Sequence, residues 1–409
     1  MDTAGPSSHT DISVLSHARF LIILFCIAFA VRVAYLALVP AGEITSDPSR
    51  YLQRAESIME TGAYKDETGN PTAYEPPGTA FFLIPALFIG GGQWIIGIYY
   101  SIINSLTVLL AYFLFLRGKC NIEISRVAAL ILALIPSWVI HCGVASSEVP
   151  FAFFALASVV FLSKNIKPPL WFVSGVFAGA AILIRPIGVF IVPLSLFLLW
   201  REKTHRRVLL LGALLSIVGV MLVVSPWIIR NTRIMGFMGI STNQGVNFYT
   251  GNNENANGGW QPIEETLPGN LSEIERDREW SRRGLLWIKE NPARWLSLLP
   301  HKMLWLWLPE IGGIVWRNTS SPGSTWTIAF ISSVIWWVFS ILAAMCVIRH
   351  WDFERDPVFA LSVITISGIS VFSLVFFGSG RFHFPAVWAV VYLGVKYVFL
   401  RSCKPETRT

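Results

Sequence analysis

Ten runs dominated by aliphatic and aromatic residues recur along the chain, at 19–39, 93–116, 126–141, 148–163, 170–184, 186–200, 208–229, 326–348, 357–378 and 384–400. A helix crossing a bilayer needs about 20 apolar residues, so the runs that fall short at these cuts are expected to extend into their flanks. The pattern predicts an all-α polytopic membrane protein of about ten transmembrane helices. The pair 170–184 and 186–200 is joined by Arg185-Pro186 and reads either as a tight hairpin or as a kink in one long, tilted helix. Two longer segments interrupt the runs. In 40–92, "PSRYLQRAESIM" places Tyr51, Leu52, Ala55, Ile58 and Met59 on one helical face, which predicts a helix lying on the membrane surface. After Pro76-Pro77, "GTAFFLIPALFIGGG" is too short for a span and predicts an interfacial or re-entrant helix. The second segment, 230–325, is polar to about Trp280. It then mixes Trp, Lys and Arg with Pro292 and Pro300, as interfacial helices do. No internal repeat is evident.

Composition agrees: 54% of the 409 residues are hydrophobic and 14% charged, against about 25% charged in soluble domains. Lys and Arg cluster in alternate short loops: Arg117, Lys119 and Arg126; Lys164 and Lys167; Arg201, Lys203, Arg206 and Arg207; Arg349 and Arg355; Arg401, Lys404 and Arg408. Such clusters mark cytoplasmic loops. They place both termini inside, with 1–18 and 401–409 as cytoplasmic tails flanking a transmembrane domain over 19–400, and the long loops outside. The run 20–39 is too long for a signal-peptide core and reads as a retained span. The formal charge of +7 is accounted for by these topology signals, not by a nucleic-acid surface. Cys26, Cys120, Cys142, Cys346 and Cys403 show no paired spacing, so neither a disulfide framework nor a metal site is inferred.

Candidate chemistry concentrates at the expected outer rim. Asp47, followed by Pro48, fits an N-cap and N1 pair opening a helix, and equally a carboxylate fixed to take a proton from a hydroxyl. Glu75 in "TAYEPPGTAFF" is a loop carboxylate or a functional acid. Glu148 in "VASSEVPFAFF" suits the first turn of a helix, and is also an acid at a membrane boundary. Arg185, Arg230 and Arg381 end spans on the face opposite the basic clusters; a shared anionic ligand such as phosphate explains them better than anchoring does. His383 and Lys302 are weaker members of that group. Asn243, Asn247 and Asn252, in "STNQGVNFYTGNNENANGGW", with Tyr51 and Tyr74, supply amides and rings suited to sugar hydroxyls and faces. Asn253, Asn255, Asn257, Gly258 and Glu264 echo a calcium loop, but its first position should be Asp and Trp260 is foreign to it. No metal site is assigned, and a divalent cation (Mg, Mn or Ca) stays only an option. Phosphate-loop, HExxH and paired CxxC motifs are absent, which argues against ATP-driven transport and a zinc hydrolase.

Taken in order, "SDPSRYLQRAESIMETGAY", "AYEPPGTAFFLIPAL", "ASSEVPFAFFALAS", "ILIRPIGVF", "SPWIIRNTRIMG" and "GRFHFPAVW" resemble the GT-C superfamily of polyprenyl-phosphate-sugar-dependent glycosyltransferases. The similarity is to the bacterial branch of protein O-mannosyltransferase-like and aminoarabinose lipid A transferase-like proteins. The resemblance implies a GT-C bundle in the inner membrane with its active site on the outer face. It implies transfer of a sugar, with inversion, from a polyprenyl-phosphate carrier to a lipid, glycan or protein acceptor. Asp47 matches the family's first-loop acid, the general base or acceptor-orienting group; the Asp-Glu pair of relatives is Asp47-Pro48 here. Glu75 matches a second acidic position, and Pro76 stands where some relatives place a phosphate-binding Lys. That leaves Arg230 as the expected phosphate ligand, supported by Arg185 and Arg381, with the base expected across the sugar from the cations. A lipid-linked saccharide transporter or a non-catalytic polyprenyl-lipid-binding protein is the alternative. A transporter should carry ionisable residues near mid-membrane.

Overall fold

The computed structural model describes residues 8–39, 41–163, 167–317 and 322–402. The outermost parts of both expected tails, and Lys164, Cys403, Lys404 and Arg408, lie outside them. The described residues form helices: α1 (Ser8–Leu38), α2 (Ser46–Thr61), α3 (Gly78–Ile89), α4 (Gln93–Phe115), α5 (Ile122–Leu134), α6 (Pro136–Ile140), α7 (Glu148–Phe161), α8 (Pro169–Ile184), α9 (Ile191–Arg201), α10 (Arg206–Met235), α11 (Gln244–Thr250), α12 (Glu273–Glu290), α13 (Pro292–Trp307), α14 (Gly312–Arg317), α15 (Pro322–Arg349), α16 (Pro357–Val375) and α17 (Val387–Ser402). Short 3₁₀ turns at His141–Gly143, Pro186–Phe190 and Gly380–Ala386 join several of them. The protein is an all-α polytopic membrane bundle.

Each expected apolar run falls on a helix, but the runs are not equal. Six helices among the described residues are long and apolar enough to cross a bilayer alone; α5 with α6 and the turn after it makes a seventh, bent by 48°. The bend has a sequence cause: Pro136 lacks an N–H, and Ile135 turns extended at φ −64°, ψ 124°. Helices α3, α7 and α8, and the segment Pro186–Arg201, are apolar but shorter.

The segment 170–200 is two helices. Arg185 is extended at φ −143°, ψ 120°, and the chain folds back so that a Cβ on Gly188 would come within 3.0 Å of the Ala181 and Ile182 backbone. Helix α8 also lies close on α10, because Gly175 faces the Ser216 carbonyl and Gly219 faces that of Phe172 with no room for a side chain.

A charge lies inside the first span, which the sequence reading missed. Arg32 of α1 is buried and among the described residues has no carboxylate partner; it donates to the Ala28 carbonyl at 2.8 Å, the Ala133 carbonyl at 2.9 Å and Asn104 Oδ1 at 3.0 Å. The break in α5–α6 frees the Ala133 carbonyl to receive it.

Candidate active site

Helix α2 opens at Ser46, whose φ of +62° is left-handed. Asp47 therefore lies inside the first turn and makes no capping hydrogen bond, contrary to the N-cap expectation. Its carboxylate is held instead by ion pairs, with Arg50 one turn along the helix and with Arg381 Nη1 at 2.9 Å. On the same helix Arg50 Nε meets Glu75 Oε1 at 2.5 Å, and Arg54 Nε lies 3.5 Å from Glu75 Oε2. The amphipathic face is thus only partly as read: Tyr51 and Ala55 are buried, Arg54 is buried with them, and Met59 is exposed.

Arg381 connects this first-loop cluster to the spans. Its Nε donates to Glu148 Oε1 at 2.9 Å, and its guanidinium lies over the Trp316 ring, 4.3 Å from the centroid. Glu148, the first residue of α7, is fully buried and also pairs with Arg185, which further donates to Ser147 Oγ at 2.9 and 3.0 Å. Extended backbone at Arg185 breaks α8 there and turns the guanidinium to Glu148. Gly78, just beyond Glu75, packs against Leu183 and Ile184, so the Glu75 loop is held beside the end of α8. Behind Glu148, buried His141 bridges Ser146 Oγ at 3.3 Å and Glu310 Oε1 at 3.1 Å.

The structure therefore unites all three candidate acids with Arg185 and Arg381, and adds Arg50, Arg54 and Ser147, which sequence reasoning missed. Arg50 and Arg54 were signalled in part, since they follow Asp47 at helical spacing. The expected separation of base from cations is not what is seen: Asp47 and Arg381 are direct partners. Burial would push the Asp47 carboxyl up, but Arg381 and Arg50 outweigh it and hold the group below its ordinary range. Burial dominates at Glu75, whose pKa is raised in spite of Arg50 and Arg54.

Several expected ligands lie elsewhere. Arg230 donates to the Thr72 carbonyl at 2.7 Å, the Tyr64 carbonyl at 2.8 Å and Asn231 Oδ1 at 2.8 Å, and stacks on Trp227; it clamps the first loop to α10. His383 is stacked on Trp336 at 3.8 Å, with Nδ1 hydrogen-bonded to the Leu306 carbonyl at 2.8 Å. Lys302 is buried and donates to Asn252 Oδ1 at 2.9 Å and the Leu374 carbonyl at 3.1 Å. Asn252 is itself buried, also bonded to the Phe248 and Val375 carbonyls, and so is a loop fastener with no side-chain group left for a sugar. Tyr51 is buried beside Asp47, whereas Tyr74 lines a cavity. Asn243 and Asn247 are half-buried where α11 begins. In the calcium-like stretch, Asn253 Oδ1 and Asn257 Oδ1 accept backbone N–H groups two residues on, at 2.8 and 3.0 Å, as turn-forming asparagines do. Among the described residues no group of three or more His, Cys, Asp or Glu side chains is placed to hold a metal ion.

Residues 74–229 match the family model of dolichyl-phosphate-mannose-protein mannosyltransferases, a stretch that includes Glu75, Glu148 and Arg185. Comparison with curated proteins finds no match. Among solved structures, the fold is similar to that of the archaeal oligosaccharyltransferase AglB from Archaeoglobus fulgidus, solved with an inhibitory peptide and a dolichol-phosphate: TM-score 0.55, 13% identity, 94% of this chain and 50% of that one. The same enzyme's apo form gives TM-score 0.55 over 94% and 51%. ArnT from Cupriavidus metallidurans bound to undecaprenyl phosphate aligns at TM-score 0.45 and 14% identity, over 96% and 77%. The chain thus spans about half the length of the archaeal structures. The resemblance to GT-C proteins is borne out by the family model and by the shared fold.

Proposed function

We propose, from the premise that this is a polytopic protein of GT-C type, that it is a glycosyltransferase moving a sugar from a polyprenyl-phosphate carrier to a lipid, glycan or protein acceptor. In this reading it sits in the bacterial inner membrane with its site on the periplasmic side. One observation carries the proposal: Asp47–Arg381–Glu148–Arg185 is a continuous ion network, joining the first loop to span ends more than 300 residues apart in sequence (Asp47 and Arg381 differ by 334).

The polyprenyl chain stays in the bilayer and its phosphate approaches this rim. Arg381 and Arg185 receive it, since a guanidinium has five N–H donors and the carboxylates use only some of them. As the anomeric C–O bond breaks, the electron pair and negative charge pass to the phosphate, where the arginines stabilise them. The phosphate also competes for Arg381. Asp47 is then relieved of the charge that depresses its basicity, and takes the proton of the acceptor hydroxyl as the new bond forms with inversion. Donor binding thereby prepares the base. Arg32, an ionisable group inside a span, is the feature a lipid-linked saccharide transporter would need, but its Nη groups are tied to Ala28, Ala133 and Asn104 in a packed interior.

Mass spectrometry of envelope lipids, polysaccharide and secreted proteins from a deletion strain tests the reading. A sugar lost on deletion should return with the wild-type gene and stay absent with Asp47→Asn. Return of the sugar with Asp47→Asn overturns the base assignment. A full set of sugars in the deletion strain overturns the transferase reading.

A further inference from the structure

Between the first loop and the head of α12 lies a cavity of about 700 Å³, within the usual range of about 300–1,000 Å³ for ligand sites. Of the residues singled out from the sequence, only Tyr74 lines it. Glu273, on its wall, is a fastener: Oε2 accepts the Thr72 hydroxyl at 2.7 Å and Oε1 the Ala73 N–H at 2.9 Å. Arg54 is also held by carboxylates, with its Nε 3.5 Å from Glu75 Oε2 and its Nη2 3.9 Å from Glu67 Oε1. Asp277 accepts the Gly245 N–H with Oδ1 at 2.6 Å, and its half-buried carboxylate stands on the cavity wall with Asn70, Thr242 and Arg276.

The charge balance restricts what the cavity takes. Asp66, Glu273 and Asp277 outnumber Arg54 and Arg276 on the walls, so a phosphate or carboxylate would meet net repulsion. A neutral molecule whose groups both donate and accept suits a wall that mixes the Asp277 carboxylate, the Asn70 amide, the Thr242 hydroxyl and the Arg276 guanidinium, and sugar hydroxyls do this. Trp280, stacked on Tyr249 at 4.7 Å, supplies a fixed apolar wall. Location joins the cavity to the chemistry, because Arg54 shares Glu75 with Arg50, and Arg50 holds Asp47.

We infer that this cavity binds the acceptor and that the acceptor group is a neutral carbohydrate, a sugar unit of a glycan or glycolipid and not a peptide side chain. The inference rests on the glycosyltransferase reading above. In the step it implies, the acceptor hydroxyl oxygen bonds to the donor's anomeric carbon, the bond to the carrier phosphate breaks with its electrons on the phosphate, and the hydroxyl proton passes to Asp47.

The test uses the full chain in lipid nanodiscs and saturation-transfer NMR. Its probes are methyl glycosides of mannose, glucose, galactose, N-acetylglucosamine and arabinose, and a Ser/Thr-containing hexapeptide. At least one glycoside should bind, about tenfold more weakly in Asp277→Asn, the loss expected for one hydrogen bond to a charged group, and more weakly also in Trp280→Ala, which removes the apolar wall. Asparagine keeps an oxygen for Gly245, and unchanged thermal melting verifies that each variant is folded. Binding of the peptide alone, of no glycoside, or of glycosides with equal strength in both folded variants overturns the inference. The two proposals fail separately. Glycoside binding that the variants weaken, in a protein whose deletion removes no envelope sugar, defeats the transferase reading and leaves a carbohydrate site; sugar transfer with unaffected cavity variants defeats the cavity assignment alone.

Discussion

Asp47 is held between Arg50 and Arg381, and Glu75 two side chains away is held between Arg50 and Arg54, yet their protons respond in opposite directions. Asp47 has a lowered pKa, so its pairing contributes stability that is complete above the ordinary aspartate range and is lost as pH falls through the lowered value. Glu75 has a raised pKa; its contribution favours the fold at low pH and declines as pH rises through the raised value. On acidification Glu75 therefore takes a proton first, freeing Arg50 to tighten on Asp47 and weaken it as a base. The acid limb of kcat/KM should lie above the usual glutamate range and vanish in Glu75→Gln; an unaltered limb in that variant would show that another group governs it. Arg381 bridges two carboxylates with a planar fork, and lysine cannot reproduce that geometry. Arg381→Lys should lower kcat about a hundredfold or more, as loss of an electrostatic stabiliser does, while circular dichroism remains that of the folded bundle. A kcat within a few-fold of wild type in Arg381→Lys counts against its place beside the phosphate.

The helices show why some of this was legible in the sequence and some was not. Period and length give the apolar runs, and Asp47, Glu75, Glu148, Arg185 and Arg381 stand out as polar groups at run ends. Their pairing could not be read, because Glu148 and Arg381 are 233 residues apart and only packing brings them together. The partners of Arg230 were hidden for the same reason. It has the position of a phosphate ligand, after a Pro-Trp pair at a span end, but the carbonyls of Tyr64 and Thr72 are what it meets. The two roles predict different losses. If Arg230 is a clamp, Arg230→Ala should lower the melting temperature and increase proteolysis within 62–76, while undecaprenyl phosphate binding falls far less than in Arg381→Ala. Equal losses of lipid phosphate binding in the two folded variants would restore Arg230 as a ligand. Helix α8 makes a stricter demand, since Gly175 and Gly219 let it touch α10 backbone to backbone. Gly175→Leu has no space to enter and should abolish accumulation of the folded protein.

At the scale of the whole molecule, the contacts at the rim constrain how the chain threads. Glu148 opens α7 and Arg185 follows α8, and they touch; α7 must leave the rim and α8 return to it. Arg117 and Arg201 lie at the other end, where Arg117 pairs with Glu202 at 2.7 Å and Arg201 donates to the Phe353 carbonyl at 2.6 Å. So α9 leaves again and α10 comes back to place Arg230 by the first loop. Yet α7 has 14 residues and α8 has 16, about 21 and 24 Å at 1.5 Å per residue, short of a hydrocarbon core of about 30 Å. They complete a crossing only where neighbouring helices and polar loops replace lipid at their ends, and hydropathy alone does not count them. The prediction is ten crossings, with Lys167 and Lys203 on the face of the positive clusters and Val189 on the opposite face with Glu67. Single cysteines at these positions in a cysteine-free background, treated with a membrane-impermeant thiol reagent on whole cells with a permeabilised outer membrane, decide it. Val189→Cys and Glu67→Cys should react, and Lys167→Cys and Lys203→Cys only after the inner membrane is opened. Val189→Cys and Lys167→Cys reacting from the same side would mean that α8 does not cross, and would place Arg185 and Glu148 away from the outer rim on which the proposed chemistry depends.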